Sequence, residues 1–236
     1  MGFLVHDDNG KDFDLASQQQ HGVRKRSVSR ALQSPGSAII APINSMCADD
    51  CRAGIAYASI AIEDSQFNII TQNFLTDNCM HGIDIGANVI DNTISLNHFQ
   101  NNPGHGIIES SSTNSKRNSY TDNKFANIGF SAVSIRQNFS TFSGNTIRQA
   151  NLRVSTGSDG ATAPKAAIEI AEGTKFISIM NNKVSSTTTG SSTTGVYVVP
   201  GDGDHLKILG NSIGHLPVPI EMTGVTGEHN DVAYNS

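Results

Sequence analysis

An all-β fold, a right-handed parallel β-helix solenoid of about seven coils, is what this sequence predicts, and three observations predict it. The pattern apolar-x-x-Asn-x-apolar recurs with Asn at 73, 97, 123, 145, 182, 211 and 235, at successive gaps of 24, 26, 22, 37, 29 and 24. Downstream of each of the first six stands a second apolar position or alternating pair: Ile83 and Ile85, Ile107, Val133 and Ile135, Ile168 and Ile170, Val196 and Val198, Ile220 and Met222. The 236 residues include 22 Gly and 22 Asn against 6% aromatics and no Trp, a composition that favours many turns over long helices.

A unit of this length has room for two or three short strands with turns between them, and none for two amphipathic helices, so each unit is one coil. Neighbouring coils then pair in parallel about 4.8 Å apart, and every inward side chain rests on its equivalents above and below. Three residues before the repeated Asn stand Ile70, Ile94, Tyr120, Phe142, Ile179, Ile208 and Val232; two after it stand Leu75, Phe99, Phe125, Ile147, Val184 and Ile213. These flanks are the expected inward columns. The Asn between them is expected to turn the chain, tolerating left-handed backbone, and to extend a ladder of side-chain amides down the stack. The alternating pairs form a further half-buried strand in each coil. The Leu-x-x-Leu-x-Leu framework of leucine-rich repeats is missing.

The gaps of 37 and 29 locate insertions at 152–165 and 185–194. Both are polar and contain Gly, so they read as loops thrown out from the stack, where loops commonly rim a groove. The chain divides into a β-helix domain over 54–236 and an N-terminal cap or linker over 1–53, where the repeat fades. Asp14-Leu-Ala-Ser-Gln-Gln-Gln is expected to start a helical or irregular cover for the open edge of the stack. Because the repeat stops in mid-coil at Asn235-Ser236, a piece of a longer protein is an open alternative.

Charge and composition exclude several classes. A net charge of -5 and a pI near 5.8 argue against a nucleic-acid partner, which calls for a clustered basic face. Arg24, Lys25, Arg26 and Arg30 are the one basic cluster, and a solvated helix face or linker accounts for them. No run approaches the ~18 apolar residues of a membrane span, and the start lacks the charged and then apolar regions of a signal peptide. Cys47, Cys51 and Cys79 are odd in number and too few for a disulfide framework. Without His or Cys pairs nearby they read as small residues and not as a metal site. No metal and no cofactor are expected, with calcium left open.

Alternation along the third strand defines the candidate site. If Ile83 and Ile85 point inward, Asp84 points outward, and its column through successive coils is Ala61, Asp84, Ile108, Ser134, Glu169, Tyr197 and Glu221. Arg136 lies two residues beyond Ser134 on the same face. Arg136, Glu169, Tyr197 and Glu221 could bind sugar hydroxyls and stack on a ring. Glu109 falls where Ile85 and Ile135 are inward, so it is either buried with a raised pKa or turned outward by a bulge. Turned outward beside Asp84, it would complete the acid and base of a glycosidase. His81 and His105, one coil apart, should stack just before the strand and are candidates for a proton-abstracting base.

Coils such as Asn97-His-Phe-Gln-Asn-Asn-Pro-Gly-His-Gly-Ile107 resemble those of the pectate-lyase-like superfamily of right-handed β-helices, over roughly residues 54–236. His81-Gly-Ile-Asp84-Ile-Gly86 is similar in Gly82, Ile83 and Asp84 to a motif of mannuronan C5-epimerases, with His81, Ile85 and Gly86 standing where that family has Tyr, Pro and His. The resemblance implies a carbohydrate-active protein that cleaves or processes an extracellular polysaccharide, of lyase or glycoside hydrolase type. Catalysis would fall to Asp84, Glu109, His81 and His105. It equally implies a rival, a non-catalytic glycan-binding or structural module of a phage tailspike or adhesin, often a homotrimer. Either would work outside the cell or on a virion, although the chain begins with no signal peptide. A repeat specifies fold and not reaction.

Overall fold

The computed structural model describes residues 58–78, 80–110, 114–150, 166–186 and 194–235, together with the short strands Leu4–His6, Asp12–Asp14, Ile39–Ile40 and Asn44–Ser45. These residues form a parallel β-solenoid, and no helix occurs among them. One coil shows the plan: a first strand Thr93–Ser95, a second His98–Gln100 and a third Ile107–Glu109, joined by turns. First strands stack on first strands in parallel register, second on second and third on third. The third strands make a seven-stranded sheet from Ala58–Ile62 to Val218–Glu221. Near the end, the single strand Lys207–Gly214 continues both other columns and joins them into one fourteen-stranded sheet.

The N-terminal side adds a finding. Ile39–Ile40 pairs in parallel with Ile69–Ile70, and Asn44–Ser45 with Phe74–Leu75, so sheet pairing continues upstream of residue 54. Asp14, where a helix was expected to start, closes a two-stranded antiparallel pair with Leu4–His6. The remainder of that cap, the basic cluster, the three Cys, the whole 152–165 insertion, and residues 187–193 of the second insertion lie outside the described residues.

The core is built as the apolar flanks dictate. Ile70, Ile94, Tyr120, Phe142, Ile179 and Ile208 form one inward column; Leu75, Phe99, Phe125, Ile147 and Val184 form another, and all are essentially fully buried. Phe99 and Phe125 stack with ring centroids 4.7 Å apart, close to the coil rise, because parallel in-register strands place like on like. The third sheet contributes Ile83, Ile107, Val133, Ile168 and Val196, and beside them Ile62, Ile85, Ile135, Ile170 and Val198. Hydrophobic burial therefore runs the length of the rod, each coil covering the next.

The repeated Asn forms the expected ladder, but the reason for its position differs from the expectation. In Asn73, Asn97, Asn123, Asn145, Asn182 and Asn211 the side-chain oxygen of each later member accepts the backbone N–H and the Nδ2–H of the one before, for example at 2.9 and 2.9 Å between Asn73 and Asn97. The left-handed residue is not the Asn. It is the one preceding it: Gln72, Leu96, Asp122, Gly144, Asn181 and Gly210 have φ between 54° and 68°. That bend turns the strand direction while the Asn of the next coil, itself buried, satisfies the backbone N–H just past it, as when Asn97 Oδ1 accepts the Asn73 N–H at 2.9 Å. The seventh Asn falls off the column, because an irregularity after Leu209 sets Asn211 beside Tyr234 and Asn235 beside Ser212.

Candidate functional site

The register of the third sheet is the expected one. Ala61 pairs with Asp84, Asp84 with Ile108, Ile108 with Ser134, Ser134 with Glu169, Glu169 with Tyr197, and Tyr197 with Glu221. Asp84, Glu169, Tyr197 and Glu221 are half-buried on the outward face, while Ile83, Ile168 and Val196 fill the core behind them. Five coil steps separate Asp84 from Glu221, a face about 24 Å long.

Its middle is a hydrogen-bonded cluster. Ser134 Oγ donates to Glu169 Oε1 at 3.1 Å, and Arg136 Nε reaches Ser134 Oγ at 3.5 Å. Burial pushes the Glu169 carboxyl up, with the Ser134 hydrogen bond and the Arg136 charge working against it. Arg136 itself is exposed at the edge of the face. Farther along, Thr194 Oγ1 donates to Glu221 Oε2 at 3.4 Å.

At the other end, Asp84 stands in a different environment. One carboxylate oxygen, Oδ1, is shielded from solvent and has no hydrogen-bond partner. Burial raises the pKa of this carboxyl; Ser110 lowers it, and the charge of Glu63 raises it again. Glu63 was not among the residues expected from sequence. It belongs to the outward positions just past the strand, where Glu63, Gly86, Ser110 and Arg136 succeed one another coil by coil. Gly86 is what lets it lie there: a Cβ on Gly86 would stand 2.6 Å from the Glu63 Cγ. Continuing the alternation from Ala61 by one more outward step would have found it.

Three expected members of the site, Glu109, His81 and His105, are elsewhere. Glu109 does not bulge outward; it pairs with Ile85 and is buried inside the coil with no exposed surface. It therefore lies on the opposite face of the sheet from Asp84 and cannot share a substrate with it. Four donors surround it: Tyr120 Oη at 2.5 Å, the Arg136 N–H at 2.6 Å, the Gln137 N–H at 2.8 Å and Ser140 Oγ at 3.1 Å. Burial raises its pKa to about 7 despite those hydrogen bonds.

His81 and His105 stack as expected, with centroids 5.3 Å apart, but both rings are buried. The His105 N–H donates to His81 Nδ1 at 3.0 Å, so a neutral His81 carries its proton on Nε2. Burial, then the charges of His81 and Arg136, depress His105 to about 3. A ring of such low basicity, shielded from solvent, is poorly suited to accept a proton. His and carboxylate groups able to hold a metal occur once among the described residues, at Asp204, His205 and His229, on the turn leading from the third strands to the first.

No protein-family model and no curated protein matches the sequence. Among solved structures, the chain is similar to an alginate lyase from Paenibacillus sp. str. FPU-7, with 11% identity, a TM-score of 0.39, and 71% of this chain and 76% of that one covered. It is also similar to the catalytic domain of Agl-KA, at 11% identity and TM-score 0.33 over 72% and 46% of the two chains. The catalytic domain of a GH87 alpha-1,3-glucanase in complex with nigerose is similar at 14% identity and TM-score 0.31 over 76% and 49%.

Proposed function

We propose that the outward face of the third sheet binds an extracellular polysaccharide along the stack and cleaves it, with Asp84 as general acid. The observation that carries this reading is a half-buried Asp84, one oxygen shielded and unpaired, within the electrostatic reach of Glu63. A half-buried carboxyl raised by desolvation and by a neighbouring carboxylate retains its proton to higher pH than a free Asp. Such a group can protonate a departing glycosidic oxygen while the exposed Glu63 activates water or assists from the same side. Arg136, Glu169, Tyr197 and Glu221 would bind flanking sugar units, because a filled coil interior leaves a long substrate the outward faces, and this one carries these groups in register. The second reading, a glycan-binding module without turnover, is favoured by one feature: Ser134 already engages both Glu169 and Arg136 on this face.

A panel of neutral and acidic polysaccharides, assayed for new reducing ends and for the ultraviolet absorbance of unsaturated products, separates hydrolysis, elimination and silence. Cleavage is expected, with Asp84→Asn lowering turnover about 10²- to 10⁴-fold while the fold persists. Glycan retention by the unmutated chain without released fragments would establish the binding module instead. Undiminished turnover in Asp84→Asn would move the chemistry off this face.

A further inference from the structure

Along the turn between the third and first strands, one position per coil carries an outward ring or charge: Phe67, Asp91, Arg117, Phe139, Phe176, His205 and His229. From Phe139 onward the rings form a continuous exposed stack, with centroids 4.6, 4.4 and 4.6 Å apart. The stack ends in two imidazoles from successive coils. Beneath them Asp204 is held in place, its Oδ1 accepting the N–H of His205 at 2.9 Å and of His229 at 3.0 Å.

Both imidazoles aim the same nitrogen at this carboxylate: His205 Nδ1 stands 3.1 Å from Oδ2, and His229 Nδ1 stands 3.3 Å from Oδ1. Each imidazole thus stands within hydrogen-bond reach of a different oxygen of the same carboxylate, so one ion could take their place with small movements of the rings. A tetrahedral zinc ion with bonds of about 2.0 Å sets its ligand atoms about 3.3 Å apart. The potential ligand atoms of all three residues lie within 4.8 Å of one another. His205 is clamped between Phe176 and His229, whereas His229 ends the stack and is exposed on its outer side, free to swing the remaining distance. Exposure of the cluster leaves room for water in a fourth position.

We propose that Asp204, His205 and His229 form a binding site for a divalent transition-metal ion, zinc by the chemistry of two imidazoles and one carboxylate. Nitrogen donors select zinc, nickel or copper over calcium and magnesium, which take oxygen. Because Asp204 and His205 come from one coil and His229 from the next, the ion would staple the two together. It does so where the interior is least covered, since Ile220, Met222, Val225 and Val232 are only partly buried. Any ion that binds the folded state alone raises its stability by mass action.

The test is a zinc titration of the full chain, first stripped with chelator, followed by calorimetry and by thermal unfolding. A single strong equivalent is expected, with an unfolding temperature that rises with zinc and falls back with chelator. Calcium and magnesium should do neither. His229→Gln should weaken zinc binding at least about tenfold and abolish the thermal shift, with metal-free unfolding unchanged. His205→Gln serves if the first variant folds poorly. Equal zinc binding and an equal shift in both variants would place the metal on other histidines or the cysteines and overturn the site, as would no zinc binding by the unmutated chain.

Discussion

Glu109 and Asp84, carboxyls from adjacent coils on opposite faces of one sheet, show how much a single side chain's direction decides. Glu109 accepts four hydrogen bonds, a pattern suited to the charged form, yet burial raises its pKa from 4.5 to about 7. The folded state thus binds a proton that the unfolded chain releases. Its stabilising linkage is fully present below about 4.5 and is lost as pH rises through about 7. Glu109→Gln should therefore lose part of the fall in unfolding midpoint that the parent shows across that window, as pH-resolved denaturation would measure. An identical pH profile in both proteins would refute the shift. By contrast, the consequence at Asp84 is chemical. Gly86→Ala should displace the flexible Glu63 side chain, since the added Cβ would fall 2.6 Å from its Cγ. The variant is expected to fold normally, because Gly86 is not in the left-handed region. Its Asp84 pKa should move down towards the ordinary value, which carboxyl titration by NMR reads directly, and on the proposed mechanism the acid limb of the activity profile should follow it.

At the scale of the strand and turn, amide ladders hold the coil corners. Besides the ladder read from the repeat, a second runs through Asn68, Asn92 and Asn118 and ends on Gln137, and a short third joins Asn78 to Asn102. Each inner member serves as acceptor for one neighbour and donor to the next, so truncation leaves partners on both sides. Removing Asn97 strands the buried N–H of Asn73 and the carbonyl of Ile70. Removing Asn123 does the same to Asn97 and the carbonyl of Ile94. Asn97→Ala and Asn123→Ala should each cost roughly 1 to 3 kcal/mol, the penalty of unpaired buried polar groups, in urea or thermal unfolding. Unchanged midpoints in both would show the ladder to be dispensable. The second ladder escaped notice in the sequence because Asn68 and Asn118 have Ser65 and Ser115 where the repeat carries an apolar residue, leaving Asn92 as an isolated match.

For the whole molecule, stability is carried from coil to neighbouring coil. Circular dichroism should be dominated by strand, and a helix-dominated spectrum would contradict the architecture. Hydrogen exchange should be slowest in the coils over 93–148, which are covered above and below, and faster over 218–235, where the apolar residues are only partly buried. Uniform protection from one end to the other would show that the array unfolds as a single unit.

The repeat determined the coil, the inward columns and the outward register from Ala61 to Glu221, because an apolar period and parallel stacking together leave one alignment that buries the core. Insertions did not disturb that alignment: Ser134 still meets Glu169, 35 residues on, across the 152–165 insertion. Only the tertiary structure decided which departures from the pattern stayed inside. Glu109 occupies an apolar column, and whether it bulged or was buried depended on donors from Tyr120, Ser140 and the following turn, none of them visible in its own strand. The nearness of His229 to Asp204 and His205 was likewise settled by turns. Alternation assigns a face within a strand, but at a left-handed bend the direction of a side chain is set by the path of the backbone, which packing of the next coil determines.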